Sequence, residues 1–187
     1  MKKIPIKIVE LTSPSGKKAV DVMIDVFDYH EIENAQEKIR QFKKNYFELV
    51  KKAQKIIPKK KLEKKASFYW KVGNLFSTFN KNVKNEFEIT NYNSALQRDF
   101  GLSISYVREL MVFSELFSKK EVDDSIPMAI YRALVWKKTQ LEEVGELKNE
   151  KTRLLKRGKN KESIGRENYK KELNALVKSK KNVVKTT

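Results

Sequence analysis

The chain has 187 residues, with 41 Lys and Arg, 24 Asp and Glu, one His and no Cys. The lack of Cys excludes disulfides and thiolate chemistry, and His30 alone can form neither a His-based metal site nor a catalytic triad. A formal net charge of +17 is large for this length and indicates a polyanionic partner. Lys greatly outnumbers Arg, so a biased coding composition is the competing explanation of the charge.

The net charge is distributed in blocks. Residues 1–50 carry +1, residues 51–100 carry +8, residues 101–150 carry −2 and residues 151–187 carry +10. A uniform composition bias does not predict two basic blocks around a near-neutral one. Two basic blocks are expected in a protein that binds a phosphate backbone, and we therefore favour a polyanion as partner.

No apolar run approaches the roughly 18 residues of a membrane span. The N-terminal segment MKKIPIKIVEL lacks the sustained apolar core and cleavage site of a secretory signal. We expect a soluble cytoplasmic protein, associated with the nucleoid in a prokaryote. We expect no membrane partner, no cofactor and no small-molecule substrate.

The first 57 residues predict a β-hairpin and a long helix. Apolar residues alternate with polar ones over 4–8 and 20–26, and TSPSGK between them supplies turn residues. From Glu31 to Ile57 the apolar spacing changes to three and four, which predicts a heptad seam. The members of the seam are Ile32, Ala35, Ile39, Phe42, Tyr46, Leu49, Ala53 and Ile56.

Both of these elements need a partner. An isolated hairpin is marginally stable, so it packs on another part of the chain or pairs with a second chain. The seam packs within the monomer, which is the commoner arrangement, or joins two chains. Residues 1–57 are therefore a candidate region for homodimerisation.

Helices are predicted over most of the remaining chain. After Pro58, a second helix carries Leu62, Ala66, Tyr69, Val72, Phe76 and Phe79 on one face, and residues 80–85 form a polar connector. Short helices follow over 90–100 and 104–117. A longer helix begins after Ser125, where Asp123 and Asp124 complement its positive end, and Gly145 is a candidate break in it. From Gly158 the chain is Lys-rich and poor in apolar residues, which predicts a largely flexible tail with a short helix around 169–177.

The sharpest motif is NSALQRDFGLSISYVRELMVF, residues 93–113. It matches the helix-turn-helix pattern, in which two helices are joined by a short turn containing Gly. Gly101 stands where the chain must leave the first helix with a positive φ, and Ser103 is placed to cap the second helix. Gln97 departs from the pattern, which prefers a small residue there. The residues expected inside are Leu96, Phe100, Leu102, Val107 and Leu110.

The outward face of the second helix is a candidate DNA-reading surface. Arg108 can donate to guanine or phosphate, and Ser105 and Tyr106 can donate to phosphate. Glu109 either accepts from a cytosine amine or pairs with a neighbouring Arg. The base-reading candidates are Ser103, Ser105, Tyr106, Arg108 and Glu109.

Basic residues outside this face are candidates for contacts with the DNA backbone. Such contacts position a protein on DNA without reading its sequence. The candidates are Lys59, Lys60, Lys61, Lys64, Lys65, Arg98, Arg153, Lys156 and Arg157.

Three segments resemble the N-terminal helical domain of YhcG-like nucleases. They are FYWKVGNLF (68–76), LQRDFGLSISYVRELMVFSELF (96–117) and SIPMAIYRAL (125–134), and the resemblance covers roughly residues 60–135. It implies a DNA-binding module in which Trp70 and Gly73 belong to a helix packed against the helix-turn-helix. It also implies that residues 103–109 face DNA.

The chain departs from that family in two ways. Pro127 is followed by Met128 where the family has Trp, and we expect no nuclease domain after these segments. The short E-x-K pattern of metal-dependent nucleases occurs at Glu63–Lys65 and Glu146–Lys148, but both lie in helical, Lys-rich sequence without strand context. We therefore predict no catalytic residue, no metal ligand and no enzymatic activity.

Together these features predict a mainly α fold with an N-terminal β-hairpin, and a long heptad helix followed by a helix-turn-helix domain, for which a winged-helix-like form is an option. The expected regions are 1–57 for dimerisation, 58–157 for DNA binding and 158–187 as a flexible basic tail. The function expected is duplex DNA binding by a transcription regulator or genome-organising factor. The alternatives are an RNA-binding or ribonucleoprotein component, whose aromatic-rich 68–79 helix stacks on bases, and a coiled-coil scaffold without nucleic-acid specificity.

Overall fold

A computed structural model describes residues 4–12, 18–24, 32–56, 65–90 and 92–184 of the chain. The described elements are β1 (Ile4–Thr12), β2 (Lys18–Ile24), α1 (Ile32–Ile56), α2 (Ala66–Val83), β3 (Phe87–Thr90), α3 (Tyr92–Phe100), α4 (Ile104–Leu116), α5 (Met128–Glu143), α6 (Leu147–Lys159) and α7 (Arg166–Val184). The predicted class, mainly α with an N-terminal β-hairpin, is confirmed. Of the helices in these ranges, none is long and apolar enough to cross a membrane.

The chain divides into two compact units, and both α2 and α4 contribute residues to each. Unit 1 comprises the described residues of Met1–Lys60 and Asn74–Arg108, and unit 2 those of Lys61–Gly73 and Glu109–Thr187. These boundaries differ from the predicted ones at 57 and 157. The predicted boundaries were taken from changes in composition and from Pro58, which divide the chain only into consecutive segments. The compact units differ because packing brings together segments that are distant in sequence.

The sheet of unit 1 has three strands in the order β2-β1-β3. The predicted hairpin is present: β1 and β2 are antiparallel, with Ile6 opposite Ile24 and Ile8 opposite Val22. Its partner is β3, which pairs with β1 in parallel and had no counterpart in the sequence prediction. The hairpin is therefore stabilised within its own chain. The predicted turn residues 13–17 and Val26 lie outside the described residues.

The heptad seam of α1 also packs within the chain. The rings of Phe42 and Tyr46 each lie 5.9 Å from the ring of Phe79 in α2, measured between centroids, and Phe42 lies 5.1 Å from Phe87 of β3. The fully covered seam residues are Phe42, Tyr46, Leu49 and Ala53. These seam residues therefore pack against α2 and β3 of their own chain.

The helix α2 continues further than predicted. It runs to Val83, which is buried, so residues 80–83 belong to the helix and not to a polar connector. At its other end, the carboxylate of Asp124 accepts hydrogen bonds from the backbone N–H and the hydroxyl of Ser67, both at 2.7 Å. Asp124 was predicted to complement the start of the helix that follows it in sequence. It complements the start of α2 instead.

The core of unit 2 is rich in aromatic side chains. The rings of Phe113, Phe117 and Tyr131 lie 4.9 to 5.5 Å from one another. The predicted long helix after Ser125 is two helices, because Gly145 adopts φ +71° and ends α5 with a hydrogen bond from the N–H of Glu146 to the carbonyl of Leu141, 2.8 Å. Gly145 is therefore a break, of the kind that commonly ends helices at Gly.

The segment predicted to be a largely flexible tail is ordered over most of its length. Residues Arg166–Val184 form the 19-residue helix α7, in which Tyr169, Leu173 and Val177 are buried. These three residues recur every four positions and so share one face of the helix. The prediction of a flexible tail rested on the small number of apolar residues in this segment. One row of apolar residues is enough to hold α7, because the neighbouring helix α5 covers that row.

Candidate nucleic-acid interface

The predicted helix-turn-helix has the expected backbone. Helix α3 ends at Phe100, three residues follow, and α4 begins at Ile104. Gly101 adopts φ +66°, and its N–H donates to the carbonyl of Gln97 at 2.9 Å. Residues with a side chain pay about 1 to 2 kcal/mol in this conformation, which explains why glycine stands there.

The start of α4 is held by two side chains. The Ser103 hydroxyl accepts a hydrogen bond from the N–H of Tyr106 at 3.3 Å, as predicted for a capping residue. The amide oxygen of Asn93, at the start of α3, accepts from the N–H of Ile104 at 3.2 Å. Sequence reasoning missed Asn93, although its position near a helix start was a signal that it serves a backbone amide. Together these bonds tie the direction of α4 to α3.

The inward residues of the motif are placed as expected. Leu96, Phe100, Val107 and Leu110 are buried, and Leu102 is half-buried. The side chain of Gln97 is exposed, so its departure from the small residue of the pattern does not obstruct the turn.

Most of the base-reading candidates face outward. Ser103, Ser105 and Arg108 are exposed, and Tyr106 is half-buried. Glu109 is different, because Arg132 of α5 donates to its carboxylate at 2.7 Å. Of the two alternatives for Glu109, the structure shows the ion pair with an arginine. A contact between Glu109 and cytosine would require this ion pair to break.

The backbone candidates that precede α4 in the sequence fall into three groups. Four of them, Lys59, Lys60, Lys61 and Lys64, lie outside the described residues. Lys65 is exposed immediately before α2. The guanidinium of Arg98 makes two hydrogen bonds to the carboxylate of Asp99, at 2.7 and 2.9 Å. Arg98 is therefore engaged by its own chain neighbour.

The two arginine candidates of α6 belong to an ion-pair network. Arg153 makes two hydrogen bonds to Glu150 and a third to Glu172, at 2.8 to 2.9 Å. Arg157 donates to Glu162 at 3.0 Å and to Glu172 at 2.8 Å. Both side chains thus join α6 to α7 through Glu172, while their neighbour Lys156 is exposed.

Trp70 and Gly73 of α2 contact Phe117, which follows α4, and Leu110 of α4 respectively. The indole N–H of Trp70 donates to the carbonyl of Phe117 at 2.6 Å. A Cβ added to Gly73 would lie 1.9 Å from the carbonyl oxygen of Leu110, so α2 crosses α4 at a distance that only glycine allows.

A second basic surface lies along α5 and α7, and sequence reasoning missed it. Trp136 of α5 is 48% exposed. Arg132, Arg166 and Lys170 place their cationic groups 5.3, 5.8 and 5.6 Å from the centre of its ring. The signal available in the sequence was the row of polar residues at 166, 170, 174 and 178, which shares one helix face.

A groove of about 350 Å³ lies along the same two helices. It is lined by Lys137, Gln140, Asn174, Val177, Lys178, Lys181 and Asn182. We call these residues, together with Trp136, Arg166 and Lys170, the α5–α7 surface. No carboxylate is among the groove residues, which makes the groove suited to an anion.

No known protein family, curated protein or solved structure matches this chain. The resemblance to YhcG-like nucleases therefore depends on the quoted motifs alone. Within the ranges that the structure describes, no three His, Cys, Asp or Glu side chains are grouped so that they could hold a metal ion.

Proposed function

We propose that this protein binds duplex DNA through α3, the turn and the N-terminal half of α4, as a transcription regulator or genome-organising factor. The observation that carries the proposal is the geometry of the turn. Gly101 at φ +66° and the Ser103 cap direct a helix whose first two turns expose Ser105 and Arg108. In a helix-turn-helix protein, those N-terminal residues of the second helix contact base edges in the major groove.

Arg108 is the residue best suited to read a base. Its planar guanidinium can donate two hydrogen bonds to O6 and N7 of guanine, and such a bidentate contact contributes about 1 to 3 kcal/mol of discrimination. The hydroxyls of Ser103 and Ser105 are suited to phosphate oxygens, which fix the register of the helix without reading sequence.

The motif itself carries little charge, so backbone affinity has to come from other segments. Residues 74–108 have a net charge of +1, whereas the preceding residues 51–73 carry +8. The lysines at 59–65 supply most of that difference together with those of α1. We therefore assign sequence selectivity to α4 and affinity for the phosphate backbone to the lysines at 59–65 and in α1.

The alternatives from other classes have less support. The scaffold alternative required an available heptad seam, but Phe42 to Ala53 of that seam are covered by their own chain. The RNA alternative required stacking rings on the 68–79 helix, where Phe76 and Phe79 are buried and the other aromatic residues, Phe68, Tyr69 and Trp70, are only half-buried. Homodimerisation through residues 1–57 and kinship with the YhcG-like domain remain parts of the proposal, and the mass of the protein in solution tests the first of them.

Selection of duplexes from a random pool at moderate salt, followed by the Arg108→Ala variant, tests the proposal. We expect an enriched motif, and a loss of about 5- to 150-fold in affinity for it on Arg108→Ala, the equivalent of 1 to 3 kcal/mol. Affinity for a scrambled duplex should change by less than about twofold, since a single phosphate contact reads no sequence.

Arg40→Ala is the matched control, because Arg40 is an exposed arginine of α1 in the same unit. It removes the same charge and should shift the two duplexes alike. A flat selection, or an equal loss of both duplexes on Arg108→Ala, would contradict sequence reading by α4.

Salt dependence tests the backbone contacts separately. Each neutralised phosphate contributes about −0.9 to the slope of log affinity against log salt, so binding should weaken steeply with added salt. Replacing the lysines at 59–65 by Glu should weaken binding to every duplex alike. An affinity that barely changes between low and moderate salt would contradict this part of the proposal.

A further inference from the structure

We propose that the α5–α7 surface binds single-stranded nucleic acid, with an unpaired base stacked on the indole of Trp136 and the adjoining phosphates held by basic side chains of α7. This goes beyond the proposed function, because it uses no residue of α3, the turn or α4. It also needs a different form of nucleic acid, since a base within a duplex is already stacked on its neighbours and a single strand offers its bases to aromatic side chains.

The exposure of Trp136 is the first observation. Among the described residues, Trp136 and Phe47 are the large hydrophobic side chains left exposed, at 48% and 46%. Other apolar residues of α5, including Ile130, Leu134 and Leu141, are buried, so Trp136 lies away from the packed face of its helix. Nearly half of the surface of Trp136 is therefore accessible to a base, beside the three cations that lie at its ring.

The charges around the ring are the second observation. Arg132, Arg166 and Lys170 all lie within 6 Å of the ring centre, where three like charges repel one another. Arg132 is neutralised by Glu109 at 2.7 Å. Arg166 and Lys170 have only the largely exposed Glu167 as an ion-pair partner among the described residues, at 3.9 and 3.2 Å. A phosphate beside the indole would relieve their repulsion.

The groove is the third observation. Its volume of about 350 Å³ falls in the range of roughly 300 to 1,000 Å³ that small-ligand sites occupy. Of its three lysines, Lys137 contacts Gln140 at 2.9 Å and Lys181 contacts Glu143 at 3.1 Å. Lys178 makes no ion pair with any described residue. The groove therefore adds positive charge along the same two helices.

The spacing along α7 favours an extended polyanion over a single phosphate. Arg166, Lys170, Asn174 and Lys178 are four residues apart, so successive side chains rise about 6 Å along the helix. They form a row that begins beside Trp136 and continues into the groove. A strand whose base stacks on Trp136 can place its following phosphates along this row.

Binding of fluorescently labelled oligo-dT and oligo-rU to the full chain tests the inference. Trp136→Ala should weaken binding of the preferred oligomer by about 5- to 150-fold, as expected for the loss of one base stack, whereas Trp136→Phe should retain most of the affinity because it keeps an aromatic face. The two oligomers distinguish DNA from RNA as the source of the strand. Phe47→Ala is the matched control, since it removes an equally exposed ring, and it should change binding by less than about twofold.

Fluorescence gives a second measurement that does not depend on affinity. The chain has two tryptophans, so Trp70→Phe leaves Trp136 as its single one. Addition of oligo-dT or oligo-rU should then quench the emission, because a stacked base is in direct contact with the indole. Emission that is unchanged at saturating oligomer would overturn the stacking part of the inference.

The outcomes separate this inference from the proposed function. An oligomer affinity that is the same for the wild type and Trp136→Ala overturns the inference, even if Arg108→Ala abolishes duplex selectivity. Oligomer binding that depends on Trp136, in a protein that selects no duplex motif, supports the inference and contradicts the proposed function. An equal loss of oligomer and duplex on Trp136→Ala also overturns it, because stacking distinguishes the two.

Discussion

The two surfaces proposed to bind nucleic acid, the α3–turn–α4 segment and the α5–α7 surface, differ in the features on which each proposal depends. The first depends on backbone geometry, with Gly101 and Ser103 setting the direction of α4, and residues 74–108 carry a net charge of only +1. The second depends on side chains, with an exposed indole and a row of cations on an ordinary helix. A defined backbone shape thus characterises the α3–turn–α4 segment, and positive charge characterises the α5–α7 surface.

The division suggests different kinds of binding at the two places. A helix presented at a defined angle can discriminate between base pairs, because hydrogen bonds to base edges require correct placement. A row of lysines and arginines attracts any strand, and that attraction weakens with salt. The following substitutions test whether the two regions are as separate as this comparison makes them.

The largest effect is expected at Gly73, where α2 crosses α4. In Gly73→Ala the new Cβ would lie 1.9 Å from the carbonyl oxygen of Leu110, which is backbone and cannot rotate away. We expect a loss of about 3 kcal/mol in the free energy of unfolding, since overpacking of this kind forces backbone shifts. Thermal unfolding followed by far-UV circular dichroism should show a midpoint lower by roughly 6 to 12 °C.

Gly165→Ala provides the control for that substitution. A Cβ at Gly165 meets its nearest atom, in Asn168, at an ordinary 3.7 Å. This variant should unfold within about 0.5 kcal/mol of the wild type. Equal midpoints for the two variants would show that α2 and α4 do not approach each other as closely as described.

A matched pair of glycines tests the comparison more directly. Gly101 and Gly145 both adopt positive φ, at +66° and +71°, and a Cβ would meet nothing within 4 Å at either position. Each Gly→Ala change should therefore cost about 1 kcal/mol of stability through backbone strain alone. Only Gly101→Ala should also weaken binding to the selected duplex, because only that turn directs α4.

The readouts are chemical denaturation for stability and fluorescence anisotropy for binding. Binding of the single-stranded oligomer should be unchanged in both variants. If Gly145→Ala weakened duplex binding as much as Gly101→Ala, the effect would reflect lost stability, and the turn of the helix-turn-helix would have no special part in recognition.

The smallest effect is expected at Tyr169 of α7. Its hydroxyl is buried without a hydrogen-bond partner among the described residues, and burial, followed by the nearby Glu150 carboxylate, raises the pKa of Tyr169 well above its ordinary value. Tyr169→Phe removes a polar group that lost its water on folding without gaining a partner. We expect stability to stay the same or to rise by up to about 1 kcal/mol.

Tyr131→Phe is the contrasting variant. The Tyr131 hydroxyl accepts from the N–H of Asp123 at 3.0 Å and donates to its carbonyl at 3.3 Å. Loss of that pairing should destabilise the protein by about 1 kcal/mol, measured by denaturant unfolding. A comparable loss in Tyr169→Phe would mean that Glu150 accepts a hydrogen bond from Tyr169 after all.

The features that the sequence predicted well are local. The two short helices α3 and α4 and the turn between them could be predicted because Gly101, Ser103 and the inward apolar positions act within a span of about 20 residues, where spacing alone decides which side chains share a face. The hairpin could be recognised for the same reason. Its partner could not, because β3 has four residues and pairs with a strand some 80 positions earlier.

The errors came from contacts between distant segments. Asp124 serves the start of α2, which lies 57 residues earlier in the chain. Apart from a short helix around 169–177, the segment of α7 was predicted to be flexible because it has few apolar residues. The cover that holds it comes from α5, and α6 adds ion pairs through Glu172. The cations around Trp136 were overlooked with it, since two of the three belong to α7.

The sequence by itself therefore determined the fold class, the position of the two-helix motif and the candidate reading residues on it. Only the tertiary structure decided that the heptad seam packs within the chain, that Glu109 is paired with Arg132, and that α5 and α7 join a tryptophan to a row of cations. The physical reason is that periodicity states which face of a helix is apolar, whereas the identity of what covers that face depends on contacts that no local spacing encodes.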